Sequence, residues 1–284
     1  MATEVRSLTG LRGIAASVVV QYHYVEATPQ VPSLLREIAS RGYLAVDMFF
    51  VLSGFVMALT YAHRFAHGFD APAYGDFLLR RFARIYRLYV VILGLTVLGV
   101  GVGAFPGWNL RDSLATVVAN FLLIQAWGTT VSLNGPAWSI STEFAAYLLF
   151  PMLLRATLFG GGRRAAQATV AAAILLILAA MIRPLLRPGG NGTLDLYRET
   201  TPLPLLRCFA GFTFGLLTYR LTGSPGIMQL ARQGLAAVVL VALLAAALLL
   251  DVNDLAIYTL LPPLVLCLYA TRGRPGRVLG HGVI

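Results

Sequence analysis

Apolar residues in this chain come in long blocks rather than at the short intervals of a half-buried soluble fold. Blocks fall at 17–25, 43–61, 88–105, 144–159, 165–182, 203–219, 235–250 and 255–269. With their flanks they approach the ~20 residues a helix needs to cross hydrocarbon. The pattern predicts an all-α fold, a polytopic transmembrane helix bundle of about eight spans over one domain, 1–284. A shorter block at 114–127 reads either as a further span or as a re-entrant helix buried in protein. The first block is not a cleavable signal, because Arg12 and His23 lie within its stretch and no small-x-small site follows.

Composition strengthens this reading. With 58% hydrophobic and 12% charged residues and a mean hydropathy of +0.75, the chain exceeds what a soluble core of 284 residues hides. All 22 basic residues are arginine, and the net charge of +10 reads as loop charge on a membrane protein, not as a nucleic-acid surface. Cys208 and Cys267 both fall inside apolar blocks, where a thiol behaves as a small hydrophobe.

Charge also orients the bundle. The densest basic stretch, 63–87, is cytoplasmic by the positive-inside rule, and the N-terminus two spans earlier is then cytoplasmic too. If 114–127 is re-entrant, the basic loop 160–164 and the tail arginines Arg272, Arg274 and Arg277 reach the same side. The loop 195–201 and the acidic turn 251–254 then lie outside.

Ionisable side chains inside such blocks are costly and face a polar path or a site. Arg12 and His23 are eleven residues apart, which on a helix is about 20° past three turns and ~16.5 Å along the axis. Both then lie on one stripe that joins the membrane surface to its interior. His23 suits a general base near neutral pH, or simply a hydrogen bond between helices. Asp47 is an intramembrane carboxylate in need of a partner, with His23 or a boundary arginine as the natural one. Ser53-Gly54 reads as close helix packing.

Arg80, Arg84 and Arg87 share a helical face, with Arg81 beside them. Solvated boundary charge explains any one of them, while guanidinium forks together match a polyphosphate. Ser139, Glu143 and Tyr147 form a polar stripe entering another block after the helix start at Asn134-Gly-Pro136; Trp138 there fits an interfacial aromatic belt. His63 and His67 have the spacing of a ligand pair but no third ligand near in sequence, so no metal is expected.

Arg12 and His23 with ten residues between, GYLAVDMFFVLSGF at 42–55, RRFAR at 80–84 and WSISTEFAAYLLFP at 138–151 occur in this order. The series resembles membrane-bound acyltransferase family 3, integral-membrane O-acyltransferases that decorate bacterial surface polysaccharides, peptidoglycan, lipids or secreted antibiotics. The resemblance is specific over residues 5–151 and rests on hydropathy thereafter. It implies an acyl-CoA donor entering from the cytoplasmic face of the cell membrane, acetyl-CoA being the family's commonest, and a hydroxyl-bearing acceptor. On that pattern His23 is the catalytic histidine and Arg12 its motif partner. Arg81 and Arg84 form the donor-side pair, and Glu143 belongs to an acceptor-side motif. Family members continue for about two further spans, so a truncated C-terminus is expected at Gly280-His-Gly-Val-Ile284, with His281 part of a tail.

Two other readings stand beside this one. A transporter or flippase for a saccharide or lipid precursor would use His23, Asp47 and Glu143 as a proton relay, although the paired broken helices of inverted repeats are not evident. An inactive, truncated membrane scaffold is the third.

Overall fold

The computed structural model describes residues 6–28, 30–104, 114–186, 191–196 and 200–271. Arg272, Arg274, Arg277 and His281 lie outside the described residues, as do 187–190 and 197–199. Every regular element among the described residues is helical: α1 (Arg6–Ala27), α2 (Ser33–Ser40), α3 (Ala45–Tyr61), α4 (Ala71–Gly101), α5 (Leu114–Phe121), α6 (Trp138–Leu148), α7 (Phe150–Leu154), α8 (Gly161–Leu186), α9 (Leu203–Leu221), α10 (Pro225–Ala231), α11 (Gly234–Leu249), α12 (Asp254–Tyr258) and α13 (Leu261–Ala270). Short 3₁₀ turns at Arg41–Leu44, Ala62–Phe65 and Gly135–Ala137, and a π-turn at Arg155–Phe159, join several of them.

Three single helices are long and apolar enough to cross a membrane: Leu35–Phe65, Ala71–Gly101 and Gly161–Leu186. The count reaches five if the bent pairs Gly135–Leu148 with Phe150–Phe159 and Pro225–Ala231 with Gly234–Leu249 are each one span. About eight spans are not reached by this measure. The blocks at 144–159 and 255–269 are broken, the second at Thr259-Leu260, and α1 and α9 carry arginines within them. The block at 114–127 forms only α5 among the described residues, and then leaves the helix through Leu123 at φ 59°.

The chain divides into two compact units. The first comprises 1–63, 153–195 and 209–284. Its centre is α3, apolar all round and 78% buried over its membrane window. Helix α1 packs against it and buries Leu8, Leu11, Ala15, Tyr22 and Val25, at helical spacing. The third wall is α9, held so close that a Cβ at Gly54 would collide with the Phe212 carbonyl and one at Gly215 with the Val51 carbonyl. Gly54 is thus a packing glycine, as its sequence context suggests. The outer helix α8 exposes Val170, Ile174, Ile177, Met181 and Leu185, the face expected toward lipid.

One end of this first unit is acidic and polar. Asp254 accepts from Tyr43 Oη (2.8 Å), the Leu194 amide (2.8 Å) and Thr193 Oγ1 (3.1 Å), while Arg41 bridges Asp254 and Asp251. Asp195 accepts from Tyr22 Oη at 3.1 Å, and its own carbonyl accepts from Arg183 Nε at 3.0 Å. Asn191 Nδ2 donates to Glu26. The C-terminal end of α1, the 191–195 segment and the 251–254 turn therefore meet.

The second unit comprises 64–152 and 196–208. Here α4 packs on α5 and α6 around Tyr89, Leu93, Leu123 and Ala137. The non-helical chain after α5 is satisfied by buried amides. Asn120 donates to the Thr116 and Val131 carbonyls and accepts from the Leu133 amide. Tyr89 Oη donates to the Asn120 carbonyl at 2.6 Å. Irregular backbone at membrane depth persists only with such partners.

Candidate active site

His23 and Arg12 lie on the uninterrupted helix α1, so their spacing puts them on one helical stripe. Both are half-buried. Tyr22 places its ring edge-on to His23, centroids 5.0 Å apart, and is anchored in turn by Asp195. Gly42 lets the 3₁₀ turn before α3 pass close: a Cβ there would sit 2.6 Å from Tyr22 Cβ. This glycine in the GYLAVD segment brings the start of α3 beside the Tyr22–His23 turn. Arg12 makes no hydrogen bond or ion pair among the described residues. A half-buried guanidinium in that state can receive an anion or a developing oxyanion.

Asp47 is fully buried in the first turn of α3, where the helix N-terminus favours a carboxylate. It shares the first unit with His23, and their helices pack on each other.

The remaining candidates belong to the second unit. Asp70 caps α4 by accepting from the Ala73 amide, with Pro72 in the first turn. The helix then presents Arg80, Arg84 and Arg87 on an exposed face and leaves Arg81 half-buried. Arg80 is already engaged: its Nε donates to Asp76 at 2.8 Å, and Arg64 holds the other Asp76 oxygen at 2.6 Å. Glu143, half-buried on α6, accepts from Tyr147 Oη at 2.6 Å, so two members of the predicted stripe meet. Ser139 instead bonds the Pro136 carbonyl.

Trp138 is not an interfacial belt residue. It is buried, and the guanidinium of Arg207 lies 5.4 Å from its ring centroid. Arg207 is itself fully buried; a charged group so placed gains from the indole face. Ser141 is equally buried, donating to the Leu123 carbonyl (2.7 Å) and accepting from the Ala126 amide, while Trp127 Nε1 reaches the Ser141 carbonyl. The serine of WSISTE that ties the motif to the irregular loop is therefore Ser141. Sequence reading passed over both Arg207 and Ser141; an arginine inside the 203–219 block was the available signal for the first. His63 and His67 are exposed, and no cluster of three metal-ligating side chains occurs among the described residues.

The profile of acyltransferase family 3, described as an acyltransferase domain, matches residues 5–278. The chain belongs to this family. Among curated relatives it is 38% identical over 160 residues to acyltransferase MdmB of Streptomyces mycarofaciens, covering 52% of this chain and 39% of MdmB. It is 35% identical over 159 residues to protein 2 in the picA locus of Rhizobium radiobacter, covering 50% of this chain and 78% of that protein. Similarity also extends to the peptidoglycan O-acetyltransferase OatA of Listeria monocytogenes, 26% over 163 residues, covering 53% of this chain and 24% of OatA. No solved structure matches. The family's members are membrane proteins, in keeping with the apolar helices here.

Proposed function

We propose that this acyltransferase-3 chain is an O-acyltransferase of the bacterial inner membrane that moves an acyl group, acetyl in the first instance, from cytoplasmic acyl-CoA to a hydroxyl of a carbohydrate or other cell-envelope acceptor. The observation that supports it most is the family match over 5–278, with Arg12 and His23 on one continuous helix. We read α1, α9 and the α12–α13 pair as crossings beside the five candidates, which gives eight. The N-terminus is assigned to the cytoplasm by the basic 63–87 stretch.

In this mechanism His23 removes the proton from the acceptor hydroxyl as its oxygen attacks the thioester carbonyl. The carbon–sulfur bond then breaks, and the imidazolium returns the proton to the departing CoA thiolate. Arg12 stabilises the oxyanion, and Asp47, on the neighbouring helix, favours the imidazolium. Glu143 is assigned to the acceptor hydroxyls. An acyl-histidine route uses the same residues with His23 as nucleophile.

The donor phosphates are assigned to Arg81 and Arg84, the pair the family pattern names, and to Arg80 beside them, whose Nε Asp76 also holds. Hydrogen bonds to charged groups contribute about 1.5–3 kcal/mol each. Replacing both Arg81 and Arg84 by glutamine therefore raises the acetyl-CoA KM by at least about tenfold, with kcat changed far less. Thiol release by the purified protein in lipid discs measures this. An unchanged KM contradicts the assignment.

A further inference from the structure

Within the first unit, α8, α9 and α13 enclose a cleft of about 330 Å³, at the lower end of ligand-site volumes. Its walls are Ala165, Ala166, Phe214, Leu217, Leu221 and Pro262. Thr169 and Thr218 also line it, but their hydroxyls donate to the Ala165 and Phe214 carbonyls of their own helices and leave the cleft little polarity. The exception is Arg220, in the last turn of α9. Its Nη1 donates to the Thr157 and Leu158 carbonyls of the π-turn, at 3.1 and 2.9 Å. Its Nε and Nη2 have no hydrogen-bond partner, and no carboxylate pairs with it, among the described residues.

A guanidinium anchored by one nitrogen in the wall of an apolar cleft offers a two-donor edge to an anion. The surroundings carry the same sign. Arg155 on the π-turn and Arg163 and Arg164 at the start of α8 are exposed and make no ion pair among the described residues. The opposite end of α8, at Arg183, meets the acidic Asp195 region instead. An occupant must therefore join an apolar chain to an anionic head. Both parts are present in one molecule of the surrounding bilayer.

We propose that this cleft is a binding site for an anionic phospholipid, an acyl chain lying along Phe214, Leu217 and Ala166 and the phosphate on the open edge of Arg220. The site is separate from the roles assigned to His23, Arg12 and the α4 arginines, and its test needs no acyl transfer. The protein is reconstituted in phosphatidylcholine discs doped with phosphatidylglycerol, and native mass spectrometry counts the lipids it retains on release. The wild type retains phosphatidylglycerol over phosphatidylcholine by about tenfold, as a charge-assisted phosphate contact gives. Arg220→Gln, which keeps amide donors for the π-turn carbonyls, and Ala166→Trp, which fills the cleft from an exposed position, each bring the ratio near one. Equal retention of the two lipids by the wild type overturns the proposal, and that arm depends on no variant. So does a preference lost in Arg163→Gln/Arg164→Gln but untouched by Ala166→Trp, which marks diffuse attraction to the membrane surface.

Discussion

His23→Ala lowers acyl transfer by about 10²- to 10⁴-fold, the range that general-base catalysis supplies, while the chain still inserts and still binds acyl-CoA. The separation is expected from its place on α1. The side chains that pack this helix are Leu8, Leu11, Ala15, Tyr22 and Val25, whereas His23 is half-buried beside them. Tyr22, which carries the structural bond to Asp195, is untouched by the change. His23→Gln sharpens the test because glutamine keeps polar contacts without a base of suitable pKa, and it is expected to be as inactive as alanine. Turnover by either variant within a few-fold of wild type removes His23 from both forms of the mechanism. Loss of insertion in both would make His23 a packing residue.

The largest effect on stability is expected at Gly54. Helices in a membrane associate through close packing of small residues, and α3 and α9 do so reciprocally: Gly54 on the Phe212 carbonyl, Gly215 on the Val51 carbonyl, Gly211 against Phe50. The obstacle a side chain would meet at Gly54 is backbone, which cannot rotate aside. Gly54→Leu must therefore push the two helices apart, at the upper end of the ~1–3 kcal/mol typical of overpacking or beyond it. For a chain of this size each kcal/mol moves the unfolding midpoint by about 2–4 °C. Thermal unfolding in detergent is expected to show a fall of about 6 °C or more. Gly94→Ala on α4 is the control, since nothing lies within 4 Å of its added Cβ; it is expected to be neutral or slightly stabilising. Equal midpoints for Gly54→Leu and wild type would mean that the α3–α9 contact is not as close as described.

What the sequence made legible follows from what local pattern encodes. The Arg12–His23 spacing, the exposed face of Arg80, Arg84 and Arg87, and the Glu143–Tyr147 pair all depend on helical period alone, and each lies in the structure as the period requires. The span count is less legible because hydropathy records how apolar a block is, not whether its helix continues. The block at 144–159 breaks after Leu148 and ends in a π-turn, and α11 alone has 16 residues. Long-range partners were out of reach for a different reason. That Asp76 would hold Arg80 was within sight at i, i+4. That Asp195 would meet Tyr22, or Arg207 would lie over Trp138, depends on pairs 173 and 69 residues apart. Gly211-x-x-x-Gly215 was a visible small-residue motif whose meaning needed its partner, Gly54.

Radiolabelled acetyl-CoA given to the purified wild-type chain in lipid discs tests the central claim most directly, with binding and CoA release followed in the same sample. Saturable binding, with CoA release that rises when a hydroxyl-bearing acceptor pool is added, is the predicted result. Monodisperse, helical protein that neither binds acetyl-CoA nor releases CoA would contradict the account.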